Sequence, residues 1–223
     1  MNKSAIILFA HLPDFEARVK SLSYLSSKRA TKRISAFLTQ HFFKLSKQTT
    51  ADTFLIDTYH QNGTTFGQRI ANAFEDIYAK GYQNVICIGN DCPNLTLDNL
   101  QNAISETENG KVVLGPTQDG GTYLIGIPRS HFDKYAFENV KWQTNNTYKE
   151  LKSSFGSDFL QLEMKTEVDH KKVFLLECEN YVVKVLINII NEYCFIPRII
   201  YKSNPQRVFL IGSSFLKAPP FSI

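Results

Sequence analysis

Asn84–Ile127 reads NVICIGNDCPNLTLDNLQNAISETENGKVVLGPTQDGGTYLIGI, and this stretch decides the fold. An apolar run, Val85-Ile86-Cys87-Ile88, halts at Gly89-Asn90-Asp91-Cys92-Pro93. A second, Val112-Val113-Leu114, halts at Gly115-Pro116, with Asp119-Gly120-Gly121 close behind. Short unbroken β-branched runs between breakers are strands buried on both faces, the habit of parallel sheets in α/β proteins. Ligands of such sheets collect beyond the carboxyl ends of the strands. Asp91 and Asp119 both fall there, which marks a binding site.

Upstream of this stretch, Ala5 to Ala10 reads as the first strand and His11 to Ser27 as a loop rich in serine and charge. Ile34, Phe37, Leu38, His41, Phe42 and Leu45 recur at helical spacing and predict an amphipathic helix of about three or four turns. Phe54–Ile56 follows as a strand. Thr65-Phe66-Gly67-Gln68 has the form of a capping box, opening a helix with Phe66, Ile70, Ala73, Phe74 and Ile77 on its apolar face and its end near Gly81. Downstream, a helix near 97–107, a strand at 111–114, a strand at 122–127, a helix at 147–155 and an extended segment from Phe159 to Val168 complete the pattern. This alternation predicts an α/β fold, a mainly parallel sheet with helices on both faces.

The texture changes near Glu179. Tyr181, Val182, Val185, Leu186, Ile189, Ile190 and Tyr193 predict a very apolar helix, and Val208–Ile211 and Pro219-Pro220-Phe221 lie in the tail beyond. The expected division is a nucleotide-binding unit over 1–178 and a C-terminal helix and tail over 179–223. Composition leaves open whether the latter packs on the domain, as an edge strand for example, or on a second subunit; a homodimer is compatible with both.

The bulk properties suit a soluble protein. The chain has 223 residues, 43% hydrophobic and 21% charged, enough for one sizeable core. Its net charge of +4 and pI of about 8.8 are mild. The basic residues concentrate between Lys28 and Lys47, which reads as a solvated helix face or a phosphate-attracting surface. Basic residues are few and not interleaved with exposed aromatics, so no nucleic-acid partner is expected. Cys87, Cys92, Cys178 and Cys194 have no metal-ligand spacing and form no disulfide framework. The short first apolar run is no signal peptide, and Val182–Ile190 is too short for a bilayer, so a cytoplasmic location without a membrane partner is expected.

Each candidate site residue has a structural reading beside its chemical one. Asp91, just past a buried strand, can hold a hard cation such as Mg²⁺ or Mn²⁺ or simply start the turn before Pro93. Asp119-Gly120-Gly121 lets a ligand approach the main chain, or makes a plain hairpin turn. Gly67 and Arg69, in a first helical turn, make a phosphate-binding corner, or Arg69 is simply a surface arginine. Arg18 and Lys20 follow the first strand, where nucleotide-binding folds place a phosphate loop, yet no glycine occurs between Ala10 and Lys20. Asp169, near Glu167, is a second possible ligand to the same cation or a helix cap. His41, on an apolar helical face, reads as a half-buried core residue. His60 and His170 have no evident triad partner, and Gly212-Ser213-Ser214 is no nucleophile elbow.

The order of motifs resembles one family. Gln61-x-Gly63-x-x-Phe66-Gly67-x-Arg69 precedes Ile88-Gly89-x-Asp91-Cys92-Pro93-x-Leu95. Leu114-Gly115-Pro116-x-x-Asp119-Gly120-Gly121-x-Tyr123-Leu124-Ile125-Gly126 and Trp142-x-Thr144 follow. Together, over about residues 4–170, they resemble the bacterial selenodomain-associated transferases. These have the GT-A (nucleotide-diphospho-sugar transferase) fold and are similar to phospholactate and molybdenum-cofactor guanylyltransferases. The resemblance implies a three-layer α/β/α sandwich. It also implies a metal, Mg²⁺ or Mn²⁺, on Asp91 and Asp169, with catalytic roles for Asp91, Asp119 and Lys20. Gly67, Arg69, Gly120, Gly121, Trp142 and Thr144 would then bind nucleotide or substrate. The implied reaction uses a nucleoside triphosphate or a nucleotide sugar and an acceptor that the sequence does not identify. The chain departs from the family pattern after the first strand. Ala17 and Lys20-Ser21-Leu22 stand where members carry Gly and Lys-Thr-Arg. Asp169-His170-Lys171-Lys172 replaces the Asp-Thr-Pro-Glu-Asp ending. A GT-A-like nucleotide-binding or regulatory module with impaired catalysis is therefore the competing expectation.

Overall fold

β-Branched and aliphatic residues crowd three short segments so densely that neither face of any of them can meet water. In the computed structural model, which describes residues 3–19, 27–156, 159–167 and 180–193, these become β1 (Ser4–Phe9), β3 (Asn84–Ile88) and β4 (Val112–Pro116). With β2 (Asp52–Ile56), β5 (Thr122–Pro128) and β6 (Phe159–Gln161) they make one sheet among the described residues, ordered β2-β1-β3-β5-β4-β6.

Five strands run the same way and β5 runs against them, pairing antiparallel with β3 (Ile86 opposite Gly126) and with β4 (Leu114 opposite Ile125). The mainly parallel sheet predicted from the sequence is therefore mixed at one position. The cause is local: Thr117–Gly121 is too short to carry the chain back across the sheet, so β4 and β5 must form a hairpin.

Alternation within the strands divides the core in two. Ile6, Leu8, Ile86 and Ile88 face a layer made by α2 (Lys28–Ser46), α4 (Leu97–Glu108) and α7 (Tyr181–Tyr193). Ala5, Ile7, Val85 and Cys87 face α3 (Phe66–Ala79) and the shorter α5 (Lys134–Glu138) and α6 (Thr147–Phe155). This is a three-layer α/β/α sandwich. Phe42 anchors the first layer and Phe74 the second, both fully buried; each such side chain contributes roughly 1.5–3 kcal/mol.

Several element boundaries depart from expectation. His11–Ser27 is not all loop, because Pro13–Val19 forms a two-turn helix, α1. Pro13 occupies its first position, where the fixed φ suits a helix and the missing N–H costs nothing, and the His11 ring lies 4.5 Å from that of Phe15. The helix sought at 34–45 is longer, starting at Lys28 with Ser27 accepting from the Ala30 amide at 3.3 Å. The Thr65–Gln68 capping box forms as predicted. In α7 the buried face is Val182, Val183, Leu186, Ile187, Ile189 and Ile190, joined to the α2 side of the core. Asn180 caps α7, accepting from the Val182 amide at 2.8 Å, while its Nδ2 donates to the carbonyl oxygen of Pro93 at 3.0 Å. The tail from 194 to 223 lies outside the described residues. Among those described, no helix is long and apolar enough to cross a membrane.

Candidate functional site

The carboxyl ends of β1, β3 and β4 open onto a cleft of about 450 Å³. Each bordering element stops because its sequence stops being apolar, and the breakers then supply the lining. From the end of β1 come His11 and, one helical turn on, Glu16. Beyond β3 come Asn90 and Asp91; from the β4–β5 hairpin come Asp119 and Gly121. Trp142, Thr144 and Glu167 complete the rim.

Asp91 is half-buried, and a methyl group on Gly89 would lie 2.8 Å from its Oδ1. The glycine thus lets the carboxylate fold back over the main chain. The neighbouring Cys92 is buried, and its thiol is pushed up to about 12, first by burial and then by the negative charges of Asp91 and Glu167. Both carboxylates therefore act on Cys92. Asp119 is exposed; its Oδ1 accepts from the Thr117 hydroxyl at 2.5 Å and from the Gly121 amide at 3.2 Å, which fixes the hairpin. The turn reading and the site reading of Asp119 are thus compatible in one residue.

The nominated residues divide into three groups. Asp91, Asp119, Gly121, Trp142 and Thr144 line the cleft together. Gly67, Arg69 and Gly120 do not belong to the lining. Gly67 is buried where a Cβ would meet the Glu138 carbonyl oxygen at 2.2 Å, so its lack of a side chain serves the packing of α3 against the end of α5. Gly120, at φ +89°, lies where a Cβ would strike the Asn145 carbonyl oxygen at 2.0 Å, so it turns the hairpin beneath the segment leading to α6. Arg69 is half-buried with its guanidinium 5.9 Å from the centre of the Phe66 ring. Lys20 and Asp169 lie outside the described residues, as do Cys178, Cys194 and His170.

Other lining residues escaped a reading by chemistry-bearing motifs. Glu16 is buried, and nothing in its charged, glycine-free surroundings signals a helix turned towards a cleft. Gln61 was visible only as the first letter of a motif. His60 stands aside, exposed and paired to Asp57 at 2.7 Å. His41 is half-buried between Phe37 and Phe42, and burial lowers its pKa.

Among the described residues, no three His, Cys, Asp or Glu side chains stand close enough to hold a metal unaided. A hard cation that shares its shell with phosphate oxygens and water needs only one or two carboxylates. Asp91 and Glu167, whose charges meet at Cys92, are donors of the right kind.

Residues 28–144 match the family described as "Uncharacterized protein conserved in bacteria (DUF2064)", and the chain belongs to it. No curated protein matches the chain. The chain is similar to a solved structure, a candidate nucleotide-diphospho-sugar transferase from Desulfovibrio desulfuricans G20. That match has 20% identity and a TM-score of 0.68, and covers 86% of this chain and 99% of that one. A 4-diphosphocytidyl-2C-methyl-D-erythritol synthase from Anaerococcus prevotii DSM 20548 matches more distantly, with 9% identity over 86% of this chain and 96% of that one, and a TM-score of 0.39. The Desulfovibrio likeness establishes the fold as GT-A-like.

Proposed function

We propose that this DUF2064 chain is a metal-dependent transferase that takes a nucleoside triphosphate or a nucleotide sugar as donor. Within the family, its motif order supports a place among the selenodomain-associated transferases. The observation that carries the proposal is the meeting of Asp91, Asp119 and Glu167 with Trp142 and Thr144 in one cleft beyond the sheet's carboxyl ends. Asp91, with Glu167 or Asp169, would hold Mg²⁺ or Mn²⁺. When bound, such an ion offsets phosphate charge that these carboxylates would otherwise repel. Asp119, fixed by Thr117 and the Gly121 amide, faces the cleft from the opposite hairpin and orients the acceptor. Lys20 is assigned to the phosphates. Trp142 donates its indole N–H to the Phe137 carbonyl oxygen at 2.8 Å and so offers the cleft only a ring.

A second reading has its own support. Where β1 ends the chain enters α1, with no glycine to cradle phosphates, and this favours a nucleotide-binding module without turnover. Thermal unfolding with UTP, CTP, GTP, ATP or UDP-glucose, with and without MnCl₂, tests the common ground of both. One nucleotide is expected to raise Tm only with the metal, and Asp91→Asn to abolish the rise. A rise without metal that is equal in both proteins would count against the site. Pyrophosphate or nucleoside diphosphate release then separates enzyme from module.

A further inference from the structure

Gln61 sits where the chain leaves β2, and its Nε2 donates to the carbonyl oxygens of Ala10 at 3.4 Å and Ile56 at 3.3 Å. One amide group thus straps the ends of β1 and β2 at the rim of the cleft. The two acceptors also fix its orientation, since a flipped amide would turn its oxygen towards two other oxygens. The carbonyl oxygen Oε1 must point elsewhere. It is buried and has no hydrogen-bond partner. Of the five such side-chain atoms among the described residues, this one alone belongs to a residue lining the cleft. Native proteins leave few buried acceptors unsatisfied, and each calls for a cause.

Loose construction is not that cause. Asp57 Oδ1 accepts from the Tyr59 amide at 2.9 Å, and Thr58 Oγ1 from the Leu12 amide at 2.9 Å. Asn72 Nδ2 donates to the Asn62 carbonyl oxygen at 2.9 Å, and Gln68 Oε1 receives the Thr64 amide at 3.0 Å. The loop is held on both sides of Gln61, so the acceptor is preorganised. Also lining the cleft, the Phe66 ring stands 5.7 Å from that of Phe9 and 5.5 Å from that of Trp142. The lining therefore includes aromatic rings and Gln61, and a ligand group that satisfies the buried Gln61 acceptor must bring a donor.

We infer that the Gln61 carbonyl oxygen accepts a hydrogen bond from an N–H or O–H of the nucleoside part of the ligand, which makes Gln61 a specificity-determining residue. The inference rests on the nucleotide reading above. Titration calorimetry with UDP, CDP, ADP, GDP and inorganic pyrophosphate, each with Mn²⁺, tests it on the wild-type chain, Gln61→Met and Gln61→Glu. Gln61→Met is expected to weaken the preferred nucleoside diphosphate about tenfold or more and to leave pyrophosphate unchanged. Gln61→Glu keeps an acceptor but loses the strap; it is expected to unfold at lower temperature yet retain the preference among bases. Equal losses for nucleotide and pyrophosphate in folded Gln61→Met would overturn the inference, because they would make Gln61 a strap only. If Gln61→Met does not fold, loss of the base preference in folded Gln61→Glu has the same force. Pyrophosphate bound as tightly as every nucleoside diphosphate by the wild type would remove the inference alone. No binding by any probe would remove the nucleotide reading with it.

Discussion

Asp91 stands between a glycine that makes room for its carboxylate and a cysteine whose thiol feels its charge. Both neighbours were legible as letters of a motif, but the Gly89 contact was not, because it depends on how the chain bends after β3. Gly67 teaches the opposite lesson. Its place in a first helical turn suggested anion binding, whereas the Glu138 carbonyl oxygen fills the space beside it. Gly67→Ala is therefore expected to destabilise the fold by about 1–3 kcal/mol through overpacking. Urea unfolding reads that loss directly. His41 supplies a pH dependence. Burial lowers its pKa below the ordinary 6.5, so the unfolded chain takes up the proton first. Its contribution to stability is thus full above about pH 6.5 and falls as pH drops through the lowered value. Stability measured from pH 7.5 to 5 should decline less in His41→Phe than in the wild type.

The longer elements announced themselves through periodicity, and the short ones did not. The apolar spacing of α3 and its capping box were readable because a long amphipathic helix repeats its signal over several turns. α1 has only two turns, and its Phe15 and Val19 are exposed, so no buried stripe betrays it. The reversal of β5 was hidden for another reason: a strand buried on both faces has the same composition in either direction. α7 shows how an element outside the sheet reaches the site. Asn180 caps the helix and grips the segment after Asp91 through the Pro93 carbonyl oxygen and Asn94 Oδ1 at 2.9 Å. Asn180→Ala is expected to cost roughly 1–2 kcal/mol, read as a lowered Tm. Because it also frees the Asp91 segment, metal-dependent nucleotide affinity should fall with it.

Across the whole molecule, two apolar layers clamp one sheet whose strand ends supply Asp91, Asp119 and Gly121 to the cleft. That plan was legible because the alternation of strands and helices dictates which edge collects ligands. The partition between residues that line the cleft and residues that only shape it was not, since Gly67, Gly120 and Gly121 look alike in sequence. In the proposed function, Asp91 anchors a cation carrying the nucleotide's phosphates. Anomalous diffraction at the manganese edge, from crystals grown with Mn²⁺ and the nucleotide that most raises Tm, tests it most directly. A manganese peak in coordinating contact with the Asp91 carboxylate and with phosphate oxygens is expected. Nucleotide bound in the cleft with no manganese at Asp91 would contradict it.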